Sequence, residues 1–83
     1  MIFELLNHAA EGQWYLKANI KKVANGKVIV LDDSGTLISR QVVNFSKGEN
    51  KIPVFKQQSS ERVTHIVVVY VADNIVFSKL IKK

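Results

Sequence analysis

The chain has 83 residues, 47% of them hydrophobic and none of them cysteine, with ten lysines and two arginines against seven acids for a net charge of +5. That length supports one domain with one core, the apolar share excludes general disorder, and the missing thiols exclude a disulfide framework or a thiolate metal site. The positive balance suits acidic partners such as nucleic acid or anionic glycolipid, and equally suits a strand-rich protein kept soluble by lysines that blunt its sheet edges.

A chain this short buries only about 60–65% of its unfolded surface, so core packing must stabilise it unaided. The longest apolar run, Ile66–Ala72, falls far short of the ~20 residues that cross a bilayer. Met1–Leu6 contains Glu4 and no basic leader, so neither a signal peptide nor a membrane helix is expected. The expectation is a cytoplasmic protein or a piece of a longer exported chain.

In chain order, Ile2–Leu6 reads as a first strand, although Glu4-Leu5-Leu6 could equally open a short helix running to Ala10 and ended by Gly12. Trp14, Leu16, Ala18 and Ile20 then alternate with Tyr15, Lys17, Asn19 and Lys21, a period of two that buries one set and solvates the other. Asn25-Gly26 supplies the residue types of a type I′ turn and predicts a hairpin between the second and third strands. Lys27–Asp32 is a short apolar strand, and Asp32-Asp33-Ser34-Gly35 has the chemistry of the turn that follows it.

From Thr36 the parity is mixed: Leu37 and Val43 share one face, Ile38 and Val42 the other, which a bulge would reconcile. Lys47-Gly48-Glu49-Asn50 predicts a turn into Lys51–Phe55, where Pro53 lacks a ladder donor, so that strand lies at an edge or is broken. Gln57–Glu61 is polar and reads as a mobile connection. Val63–Ala72 and Ile75–Ile81 are the last two strands, with Asp73-Asn74 between them. Counting the first segment as β gives about seven strands with turns about every ten residues, which suggests an all-β antiparallel sandwich as one domain over residues 1–83.

Chemistry-bearing residues are sparse. His8 and His65 stand far apart with no acidic cluster nearby, short of the donors a zinc site needs, and His65 reads as a strand-end residue. Asp32, Asp33 and Ser34 fit a hairpin tip better than a nucleophile beside a base or a calcium loop. No catalytic residue, metal ligand or cofactor is expected, and the chain is read as a non-enzyme. Tyr15 shares parity with Lys17 and Lys21, a weak match to a base-stacking platform; Trp14 reads instead as a core anchor.

Lys27–Asp32, Asp33-Ser34-Gly35-Thr36-Leu37-Ile38, Gly48-Glu49-Asn50 and Phe77–Lys83 occur in an order that resembles the C-terminal sorting domain of type IX secretion cargo in Bacteroidetes. The likeness covers about two-thirds of the chain, with Phe77–Lys83 its closest segment. A Gly-x-Tyr approach to the sixth strand is absent at Val63-Thr64-His65-Ile66, as is an Asn-Pro segment near the start. The resemblance implies an immunoglobulin-like sandwich at the end of a longer exported protein, taken through the periplasm to the outer-membrane surface or the extracellular space.

It also implies recognition by the secretion translocon and a sorting peptidase, with anchoring to anionic lipopolysaccharide and no small-molecule substrate. The recognition tail would be Lys79, Leu80, Ile81, Lys82 and Lys83, and removing it is expected to stop export while leaving the fold largely intact. The structural turns would be Asn25, Gly26, Asp32, Gly35, Gly48 and Asn50. Two alternatives remain: an accessory or adhesion sandwich seated on its parent protein, which exposed apolar surface would favour, and a small basic nucleic-acid-binding barrel.

Overall fold

A computed structural model of the chain describes residues 1–8, 12–56 and 64–82. Its elements are β1 (Ile2–His8), β2 (Gln13–Ile20), β3 (Ala24–Asp32), β4 (Leu37–Phe45), β5 (Gly48–Lys56), β6 (His65–Val71) and β7 (Asn74–Ile81). All pairings are antiparallel, in a three-stranded sheet of order β1-β2-β5 and a four-stranded sheet of order β4-β3-β6-β7. This is an immunoglobulin-like sandwich in which β4 lies beside β3, where a constant-type domain would place it beside β5. The opening segment is a strand: Ile2 to His8 pairs residue by residue with Asn19 to Gln13. The polar connection expected over Gln57–Glu61, and Ala9 and Ala10 of the alternative helix, lie outside the described residues.

The core sits between the sheets. Leu5, Leu16, Ala18, Ile20 and Val54 face Val28, Val30, Phe45, Val67, Val69, Val71 and Ile81 across it. Leu16, Ala18 and Ile20 take the buried side of β2, as their alternation requires. Phe45 is wholly buried, so its truncation to alanine would cost about 3–5 kcal/mol. At one end Trp14 stacks on Phe55, its cross-strand partner, and Phe55 stacks at 4.5 Å on His65 of the other sheet. Trp14 is therefore half-buried at the margin of the core. At the other end Phe3 meets Phe45 and Phe77, at 6.3 and 6.0 Å between centroids.

The Asn25-Gly26 hairpin does not form. Both residues lie inside β3, opposite Asn44 and Val43. The chain instead bends at Lys21 and Lys22 and crosses from one sheet to the other, so β2 and β3 never pair. Glycine is required at 26 for a different reason from turn formation. A Cβ there would collide with the Tyr70 carbonyl oxygen and lie 2.7 Å from the Phe45 ring. Close packing in a central strand selects the residue that elsewhere makes turns.

Two other turns shift. The β6–β7 loop is Ala72-Asp73, both at positive φ (50° and 67°), and Asn74 already pairs with Val71. The conformation is the type I′ that hairpin twist favours, moved back one residue from the expected Asp73-Asn74. Between β4 and β5 the turn is Ser46-Lys47, while Gly48, Glu49 and Asn50 belong to β5. The expected turn at Asp32–Gly35 forms as read, with the Gly35 N–H donating to the Asp32 carbonyl (3.1 Å) and the Asp32 N–H to that of Thr36 (2.9 Å).

Pro53 lies on an edge strand, as expected, since β5 ends the three-stranded sheet. The mixed parity of β4 resolves at Ile38: Val30 pairs with Ser39 and Leu31 with Leu37, leaving Ile38 unmatched. Beyond that bulge Ser39, Gln41, Val43 and Phe45 face inward, and Val42 is 74% exposed.

Candidate functional site

In β3 and β6, apolar residues occupy both parities. Val28 and Val30 face the core, and so do Val67 and Val69. Ile29 and Leu31 alternate with the first pair, and Ile66, Val68 and Tyr70 with the second, so they lie on the outer face of the four-stranded sheet. Registration extends this face across all four strands. Val42 lies opposite Lys27, which lies opposite Tyr70, which lies opposite Ile75. The next row is Arg40, Ile29, Val68 and Ser78, and the third is Leu37, Leu31, Ile66 and Leu80.

The central members are half-buried by one another, while Leu37, Val42, Ile75 and Leu80 at the margins are exposed. Lys27 and Arg40 are the charges within these three rows. The Lys27 ammonium lies 4.9 Å from the Tyr70 ring centroid, so its stem covers apolar surface while its charge faces out. At the β6–β7 end this surface deepens into a shallow open groove between Val23, Val42, Lys27, Tyr70 and Asp73.

A strand that is apolar on both faces is ordinarily covered on both, and a two-layer sandwich covers one. The uncovered apolar residues run across all four strands, with Leu37, Val42, Ile75 and Leu80 exposed at the margins. The signal was present in the sequence as the unbroken runs Val28–Leu31 and Ile66–Val71. These runs mark strands that are apolar on both sides, but not which face the domain itself covers.

The expected recognition tail divides by position. Lys79 is exposed on β7, Leu80 is on the outer face opposite Ile66, and Lys82 follows the strand, exposed. Ile81 is a core residue, 5% exposed and paired with His65, while Lys83 lies outside the described residues. Removing the tail would take a buried side chain and part of the β6–β7 ladder with it. The expectation that truncation spares the fold is therefore corrected: among the described residues of the tail, Lys79, Leu80 and Lys82 are exposed and can be changed without removing a core side chain, whereas Ile81 cannot.

The turn residues serve the scaffold. Asp32 Oδ1 accepts from Ser34 Oγ (2.7 Å), Thr36 N–H (2.8 Å) and Ser34 N–H (3.0 Å). These bonds, that from the Ser34 hydroxyl foremost, hold its carboxyl below its ordinary 3.8, as expected when donors favour the charged form. Asn50 ties the β4–β5 turn together. Its Oδ1 accepts from the Ser46 N–H (2.9 Å), and its Nδ2 donates to the carbonyls of Ser46 (2.9 Å) and Gly48 (3.2 Å). Gly48 has φ 97°, and Asn25 presents its carbonyl to the Ala72 N–H at 3.0 Å.

On the outer face of the other sheet, Lys17 Nζ lies 2.9 Å from Glu49 and 3.8 Å from Glu4. The hydrogen bond to Glu49 is the main cause that raises its pKa. Lys51 sits over Tyr15, 4.5 Å from the ring centroid. A surface meant to track phosphates would leave such cations available; here the central lysine is committed to two carboxylates. His65 opens β6 and is buried, and its Nδ1 has no hydrogen-bond partner among the described residues. Among the described residues no cluster of three or more metal-ligating side chains forms.

The fold and this uncovered face define an immunoglobulin-like β-sandwich with a broad apolar sheet surface carrying two cations. No family model, curated protein or solved structure matches the chain.

Proposed function

We propose that the domain is a non-enzymatic protein-recognition module that docks through the outer face of its four-stranded sheet. In its specific form it is a sorting and anchoring module of the type IX class, exported with its cargo and read by the translocon and sorting peptidase. The observation that carries the reading is the apolar face itself, with β7, which holds the family-like Phe77–Ile81, forming its rim. Leu80 would be buried by a docking partner, while Lys79 and Lys82 present charge towards acidic protein or lipopolysaccharide. Catalysis is no part of this role; the domain is what other proteins handle.

The test is export of a reporter fused behind a signal peptide and ahead of Met1–Lys83 in a type IX secretion host. Wild type should reach the cell surface or medium. Val42→Asp with Leu80→Asp, both at exposed positions, should retain the fold and leave the reporter in the periplasm. Retention of the wild-type fusion, or normal export of the double variant, overturns the reading. The same face also supports an accessory sandwich seated on its parent protein, because β3 and β6 are apolar on both sides. In that case the wild-type fusion is not exported, and the face becomes protected from solvent only when the parent's remaining domains are attached.

A further inference from the structure

A sandwich of two open sheets has four edge strands, and each edge offers unpaired backbone groups to another chain unless something spoils it. Three of the four are spoiled here. In β4 Ile38 is unmatched and Arg40 projects from the edge strand. In β5 Pro53 removes a donor, Val54 is skipped in the ladder, and Lys51 and Lys56 add charge. In β7 Val76 is skipped between Phe77 and Ile75, and Lys79 follows. Among the described residues the fourth edge, β1, has neither a break in its ladder nor a basic residue. Its register with β2 is unbroken from Ile2 to His8, it contains no proline, glycine or lysine, and its one formal charge is Glu4.

We infer that β1 pairs antiparallel with β1 of a second copy, joining two three-stranded sheets into one of order β5-β2-β1-β1-β2-β5. The strand is suited to itself. Residues on the same face must stay on the same face across the new ladder, which allows only registers that oppose like parities. Centring the pair on Leu5 opposes Ile2 to His8, Phe3 to Asn7 and Glu4 to Leu6, using the whole strand with no like charges facing. Centring on Glu4 would set the two carboxylates against each other, which is destabilising, and centring on Leu6 loses the Ile2 and Phe3 pairs. In the favoured register the buried Leu5 residues meet on the core side, and Leu6, 37% exposed, gains a neighbour on the outer side. Both copies keep the outer face of the four-stranded sheet free, so dimerisation is independent of the docking proposed above.

Sedimentation equilibrium across a concentration series tests it. Wild type should be a dimer at the upper concentrations. Leu6→Glu places a carboxylate opposite Glu4 of the second copy at two symmetric positions and should weaken the dimer by about tenfold, with circular dichroism unchanged and the melting midpoint unchanged at concentrations low enough for wild type to be monomeric. Adding Glu4→Lys to that variant should restore dimerisation, and Leu6→Lys alone should dimerise at least as tightly as wild type. The Leu6→Lys arm also keeps the test decisive should the glutamate variant misfold. A wild type that stays monomeric throughout overturns the inference. A dimer indifferent to these charges does so too, as does one weakened equally by glutamate and lysine at position 6.

Discussion

At Gly26 the absent side chain makes room for two neighbours, the Tyr70 carbonyl and the Phe45 ring. Gly26→Ala should cost about 2–4 kcal/mol, because backbone and a buried ring must both move. Gly35 has φ 87° and nothing near its missing Cβ, so Gly35→Ala should cost only about 1 kcal/mol of backbone strain. Urea unfolding of the two variants compares them directly, and equal costs would refute the packing argument. Asp32 supplies a prediction with a sign. Its folded carboxyl titrates below the ordinary value, so its contribution is fully present above that value and disappears as pH falls through the lower, folded one. Stability measured on acidification below about pH 4 should therefore fall less steeply in Asp32→Asn than in wild type. Chemical reading of single residues succeeded where the residue acts locally, as Asp32 and Gly35 do, and failed at Gly26, whose neighbours lie 19 and 44 positions away in β4 and β6.

At the scale of the element, the β6–β7 hairpin adopts a type I′ turn with residues poorly suited to it. Ala72 and Asp73 both sit at positive φ, where a non-glycine Cβ is crowded. The double substitution Ala72→Asn with Asp73→Gly supplies the residue types this turn prefers, and should stabilise the domain by about 1 kcal/mol and raise Tm by roughly 5 °C. A lowered midpoint in thermal unfolding would mean that side-chain contacts of the native pair outweigh its backbone strain. Period-two patterning identified β2 and its buried face, and Pro53 identified an edge. Boundaries slipped where turn-forming residues had a second use. Gly48 and Asn50 open β5 while Asn50 closes the preceding turn with its side chain, so one segment answers to both descriptions.

At the scale of the molecule, the two faces of β6 make the sharpest comparison. Val67 and Val69 are wholly buried, whereas Ile66 and Val68 face outward on the same strand. Val67→Thr or Val69→Thr should each cost about 1–3 kcal/mol by burying an unpaired hydroxyl. Ile66→Thr with Val68→Thr should shift stability by no more than about 1 kcal/mol while reducing binding of a hydrophobic dye. Chemical denaturation and dye fluorescence check both halves. Outer substitutions as costly as the inner ones would show that the domain covers this face itself.

The amino-acid order alone pointed to an antiparallel sandwich of about seven strands, with the first segment left open between strand and helix, because alternation, proline and turn chemistry act over a few neighbouring residues. It also held, in the doubly apolar runs of β3 and β6, the fact that these strands tolerate cover on both sides. Tertiary structure decided which face is covered, that β2 and β3 part into different sheets, that Ile81 belongs to the core, and that β1 is the unguarded edge. Those outcomes depend on which distant strands become neighbours, and local patterning carries no term for that.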